Sequence, residues 1–235
     1  MDGSLHFGAA ALAAGLTLSS PLAAEGRDAR AAGSTVDVAL VLAVDVSASI
    51  DADERRLQRE GYAAAIAAPE VMHAIGEGAH GRILLTVVEW SDGANQEIRV
   101  PWTVVAGPDD ARRVAAAILA PGSRIPHSTT SVAGALRAAA VLLGETPERA
   151  ERRVVDISGD GKDFEMAQVR AARAALLDRG VTVNALPILT APDDPDIAEW
   201  YRDHVVGGPG AFVEPAVDFR DIEPALRRKL VLELT

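Results

Sequence analysis

The sequence predicts an α/β fold: a three-layer, doubly wound, mostly parallel sheet with helices on both faces. Three observations carry this. From Val36 onward strand patterns alternate with helix patterns, the order that builds a parallel sheet covered on both sides. The strand segments are continuous apolar runs rather than alternating ones, as in VDVALVLAV (residues 36–44) and RILLTVVEW (82–90), which suits strands buried on both faces. A hydrophobic fraction of 49% with only 4% aromatic residues fits Ala-rich helices on a Val-rich sheet, and 235 residues are enough for one such domain but not two.

The elements follow in order. Residues 7–18 form an apolar, Ala-rich run, and SSPLAA (19–24) supplies the small residues of a cleavage site, so residues 1–24 read as an export signal. MDGSLH contains no Lys or Arg, so the signal rests on the apolar run and the small residues. That run is too short to span a membrane, and the expected destination is the periplasm or the medium. EGRDARAAGST (25–35) reads as a polar linker and 36–235 as the domain. Within it, 36–44 is a strand. Residues 51–68 are a helix, with Leu57, Tyr62, Ala65 and Ile66 at helical spacing and Pro69 ending it. Residues 82–90 and 96–105 are strands, the second placed at an edge by Pro101. Pro108 opens a helix to 119, 121–128 is a loop, and 131–143 a helix. RRVVDIS (152–158) is a strand, 164–179 a helix stopped by Gly180, and 181–188 a strand. A helix at 194–204, a short strand at 210–215 and a helix at 219–232 complete about six strands and about six helices, an ordinary sheet size.

Charge removes some functions. Acids outnumber bases 34 to 23, for a net charge of −11, which disfavours nucleic acid and anionic membrane surfaces as partners. The absence of cysteine excludes disulfides, thiolate metal sites and a cysteine nucleophile. No membrane insertion of the mature chain is expected.

A candidate site begins where the first strand ends. In DVSAS the side chains of Asp45, Ser47 and Ser49 recur at period two, so in extended chain they point the same way. Helix capping accounts for one of them but not for all three. In a doubly wound sheet, ligands sit beyond the carboxyl ends of the central strands. Two further segments arrive there: HSTT (127–130), which leads into a helix, and SGDG (158–161), which ends a strand. Together they offer carboxylates and hydroxyls, hard oxygens suited to Mg²⁺, Ca²⁺ or Mn²⁺.

With these residues the chain resembles the von Willebrand factor A domain, a Rossmann-like fold whose metal-ion-dependent adhesion site reads Asp-x-Ser-x-Ser, then Thr, then Asp. DVSAS matches the first part. TSVAGAL (130–136) is similar to the Thr loop, with Ala133 where Gly is usual, so Thr130 is the better match and Thr129 the fallback. SGDG gives Asp160. The resemblance covers residues 36–235. VEWSDG (88–93), VPW (100–102) and VVDISGDG (154–161) further resemble a bacterial exported branch that carries a domain-of-unknown-function label. The resemblance implies a divalent cation, Mg²⁺ first, held by Asp45, Ser47, Ser49, Thr130 and Asp160. It also implies an open coordination position for an Asp or Glu of a protein partner.

Neighbouring residues have simpler accounts. Asp51, Asp53 and Glu54 suit the first turn of a helix, and His127 beside Pro126 reads as an exposed loop residue. His73 and His80 read as solvated in a Gly-rich connection. Trp90 and Trp102 read as core, Asp92 and Asp163 as turn formers or neighbours that tune the ion, and GGPG (207–210) as a turn. A metal-dependent phosphate or ester hydrolase is the competing reading, with Asp45 as nucleophile. No Gly-x-Ser-x-Gly elbow and no placed general base support it. A structural domain with a vestigial site is the third.

Overall fold

Strand β1 (Thr35–Asp45) is buried along nearly its whole length and feeds two cores. Val38, Leu40, Leu42 and Val44 enter one, and Ala39, Val41 and Ala43 the other, because successive side chains of a strand point to opposite faces. The computed structural model describes residues 34–121, 128–189 and 196–235. Over these residues β2 (Ile83–Trp90), β3 (Gln96–Val105), β4 (Arg149–Gly159) and β5 (Thr182–Pro187) join β1 in one sheet of order β3-β2-β1-β4-β5. β1 pairs in parallel with β2 and β4, β4 with β5, and β3 is the antiparallel edge.

Helices α1 (Ala52–Ile66), α2 (Pro69–Gly76), α3 (Pro108–Leu119) and α7 (Ile222–Leu234) cover the first core. The second lies under α4 (Val132–Gly144), α5 (Met166–Leu177) and α6 (Ile197–His204). The first turn of α1 is closed by a capping box: Asp51 accepts from the Asp53 and Glu54 amides, and Glu54 reaches back to the Asp51 amide. Pro101 lies on the edge strand, where it costs no ladder bond. The β2–β3 register shifts beside it, and the Thr86 hydroxyl donates to the Val100 carbonyl at 2.7 Å across the break.

Several expectations are corrected. β1 opens at Thr35, inside the expected linker, and β4 begins at Arg149. Pro69 does more than end a helix: α1 stops at Ile66, and Pro69 is the first residue of α2, which carries His73. The expected strand at 210–215 is not one. Residues 207–216 run beside the open edge of β5 through isolated bridges at Gly207, Val213 and Ala216. Gly208 and Gly210 in this stretch have positive φ, 97° and 69°, which breaks extended pairing. The described residues thus hold five strands and seven helices. The expected signal at 1–24, most of the linker and His127 lie outside the described residues.

The sheet order positions the site. From β1 the chain crosses to β2 on one side, while β4 lies on the other. This is the point at which a doubly wound sheet opens a crevice beyond its strand ends.

Candidate metal centre

The side chains of Asp45, Ser47, Ser49, Thr130 and Asp160 come together in that crevice. Asp45 is the last residue of β1, and its Oδ1 accepts from the Ser47 amide at 2.7 Å, which turns the chain sharply as it leaves the strand. The Ser47 and Ser49 hydroxyls stand 3.2 Å apart. Thr130 Oγ1 donates to Ser47 Oγ at 3.2 Å, and Ser49 Oγ donates to Asp160 Oδ1 at 2.7 Å. Thr130, not Thr129, is the threonine that joins the group; Thr129 is exposed. Depth is graded: Asp45 and Ser47 are fully buried, Asp160 is 8% exposed, and Ser49 opens to solvent.

These residues fit a divalent cation. In an octahedron with bonds of 2.0–2.1 Å, adjacent oxygens are about 3.0 Å apart; the contacts of 2.7–3.2 Å match that edge. Asp45 Oδ2 is buried with no hydrogen-bond partner, a costly arrangement for a carboxylate unless a cation meets it. Burial, and then the nearby Asp160 charge, pushes the Asp45 carboxyl up to about 8, against the pull of the Ser47 amide. Burial raises Asp160 too, opposed by the Ser49 hydroxyl. A cation between these two carboxyls would favour the ionised form of both.

The strand ends admit little else. A Cβ on Gly159 would stand 2.6 Å from Tyr201 Oη and 2.8 Å from Asp45 Oδ2, and one on Gly161 would stand 3.2 Å from Thr130 Oγ1. Gly159 thus leaves room beside β4 for Asp45 and Tyr201, and Gly161 lies close against Thr130. Gly134 meets the Gly93 backbone, where a Cβ would stand 2.8 Å from Gly93 Cα.

Three surrounding residues escaped sequence reasoning or were undervalued by it. Asp163, read as a turn former, is buried and accepts from the Ala133 amide at 3.0 Å, the Ser131 hydroxyl at 3.3 Å and the Glu165 amide at 2.8 Å. It thereby ties the loop carrying Asp160 to the helix start carrying Thr130; its place three residues after Asp160 was the available signal. Gln58 Nε2 donates to the Asp45 carbonyl at 2.8 Å. Tyr201 Oη donates to the Gly161 carbonyl at 3.3 Å, and burial, with the charges of Asp45, Asp160 and Asp163, holds its hydroxyl protonated well above the ordinary range. No local pattern announces Gln58 or Tyr201. Of the other candidates, Asp92 is a turn residue that accepts from the Ala94 and Asn95 amides. Trp90 is fully buried, and Trp102 packs against the second core.

Among the described residues no helix is long and apolar enough to cross a membrane. A comparison with curated proteins found no match. Solved structures do match. A von Willebrand factor type A protein from Catenulispora acidiphila is 14% identical at a TM-score of 0.59, over 84% of this chain and 42% of that one. Proximal thread matrix protein 1 from the mussel byssus, in a structure described as having a zinc-occupied MIDAS motif, is 16% identical at 0.56, over 86% and 48%. The conserved hypothetical protein BatB from Bacteroides thetaiotaomicron is 15% identical at 0.54, over 84% and 98%. This chain spans less than half the length of the first two. At these identities the likeness is one of fold, the von Willebrand A fold expected from the three motifs. Residues 35–235 match the family model described as "Protein of unknown function (DUF1194)", and the chain belongs to that family.

Proposed function

We propose that this is an exported interaction domain that holds a divalent cation, Mg²⁺ by preference, and uses it to grip an Asp or Glu of a protein partner. Asp45, Ser47, Ser49, Thr130 and Asp160 would hold the ion. The observation that carries the reading is the gathering of three hydroxyls and Asp160 within 2.7–3.2 Å contacts at the buried end of β1, where the Ser47 amide binds the Asp45 carboxylate. The zinc-occupied motif of the mussel protein supports a cation at this place in the fold. When bound, the ion supplies an electrophilic centre that its mostly neutral donors leave unquenched. The graded depth favours docking: Ser49 lies at the open side, so a ligand from outside has an approach there. Asp45 has no exposed surface, which disfavours it as a hydrolase nucleophile. The apolar run and small residues of 1–24 support export to the periplasm or medium.

Calorimetric titration with Mg²⁺, Ca²⁺ and Mn²⁺ tests the reading. Wild type is expected to bind. Asp45→Ala and Thr130→Ala are expected to lose at least the 10- to 100-fold that removal of an outer hydrogen-bond partner costs a metal site. Equal responses from all three proteins would remove the metal from the proposal.

A further inference from the structure

We infer that Phe164 is a second anchor of the docking surface, and that the partner carries an apolar side chain within four residues of the carboxylate that reaches the cation. The inference rests on the docking reading above. Phe164 is 95% exposed; the next most exposed large hydrophobic among the described residues, Val217, is 68%. A single exposed apolar residue is ordinary, but this one differs in how it is held and where it stands. The preceding residue, Asp163, is 3% exposed and turned inward onto the Ser131 hydroxyl and the Ala133 amide, while its other oxygen takes the Glu165 amide. The backbone on either side of Phe164 is thus pinned, and the ring is carried on the outside of a fixed loop. That loop is the one that supplies Asp160. Four residues of chain reach at most about 14 Å, so the ring stands within a few residues' reach of the site.

Two other exposed apolar residues stand at the carboxyl end of the sheet. The Ile188 amide donates to the Gly159 carbonyl at 2.9 Å and the Leu189 amide to the Ala216 carbonyl at 2.9 Å. Leu189, just beyond β5, and Val217, next to Ala216, are both exposed and so stand beside the carboxyl ends of β4 and β5. The chain's net charge of −11 repels an acidic partner at range, so burial of apolar surface beside the ion is the contribution that offsets it. A partner segment in extended form advances about 3.3 Å per residue, which places its apolar side chain two to four residues from its acid.

The test is selection of a phage-displayed random-peptide library with one fixed Asp on the Mg²⁺-loaded protein, with elution by EDTA. The expected result is enrichment of Leu, Ile, Val or Phe within four positions of the Asp. Phe164→Ser, an exposed change that leaves the Mg²⁺ titration as in wild type, is expected to abolish that enrichment. It should also weaken the best wild-type peptide by about 5- to 30-fold, the effect of losing partial burial of one large apolar side chain. EDTA-eluted binders without apolar preference, or with equal affinity for Phe164→Ser, would overturn the inference and leave cation docking standing. Mg²⁺ binding with no EDTA-dependent binder would overturn the inference together with carboxylate docking. Absence of Mg²⁺ heat would overturn the metal reading beneath both.

Discussion

Asp45 combines two demands that oppose each other: a buried carboxyl favours the protonated form, and a cation needs the ionised one. Its folded-state value of about 8 lies above the ordinary 3.8, chiefly through burial. The folded chain therefore keeps a proton that the unfolded chain releases. The stability this provides is fully present below about pH 4 and is lost as pH rises toward 8. In EDTA, the denaturant midpoint should fall from pH 5 to pH 8, and Asp45→Asn should flatten the slope. Saturating Mg²⁺ should also flatten it, since binding takes up the ionised form and releases the proton. A midpoint in EDTA that rises over this range, with Asp45→Asn no different from wild type, would contradict the assignment. At this scale the three oxygen bearers of DVSAS were legible as a cluster at a strand end, but not for the expected reason: β1 stops at Asp45, and Ser47 and Ser49 lie in the turn beyond it, so that turn, and not extended period-two spacing, aims their hydroxyls. Gln58 and Tyr201 were not legible, because their contact with the site depends on how α1 and α6 dock.

Helix α7 meets β4 through a buried ionic cluster. Lys229 Nζ lies 2.8 Å from Asp156 Oδ1, an ion-pair contact rather than an aligned hydrogen bond, and also contacts Glu233; Lys229 and Asp156 have no exposed side-chain surface. Asn184 Nδ2 of β5 donates to Glu233 Oε1 at 2.8 Å. Burial pushes the Asp156 carboxyl up to about 7 even with Lys229 beside it. Removing one partner of such a cluster costs more than the pair contributes, because the remaining charge stays buried. Lys229→Ala should therefore destabilise the fold by about 3–5 kcal/mol, read as a lower urea midpoint at unchanged m-value. An unchanged midpoint would show that the cluster does not hold α7. The helix expected at 219–232 gives no sign of this cluster, since nothing local reveals that Asp156 lies opposite Lys229. The expected strand at 210–215 erred for a similar reason: the apolar pattern was present, but the flanking glycines allow only isolated bridges to β5.

The whole molecule couples the site to its stability, because β1, β4 and the start of α4 must all be in place before the five oxygens meet. A ligand that binds only the folded chain stabilises it by about 2.7 kcal/mol at a hundred times its Kd. For a domain of this size that is a rise of roughly 5–10 °C in Tm. Thermal melts with and without Mg²⁺ should show this in wild type and not in Asp160→Ala; equal shifts in both would place the ion elsewhere. By itself the sequence determined the α/β class, the order of most elements and the three segments bearing oxygen donors. Those follow from periodicity, apolar runs and turn residues, which are properties of the local chain. Only the tertiary structure decided that Asp163 ties two of its segments together and that Lys229 is buried. These depend on which elements pack against each other, and contacts between residues distant in the chain are set by sheet order and helix docking, not by spacing along it.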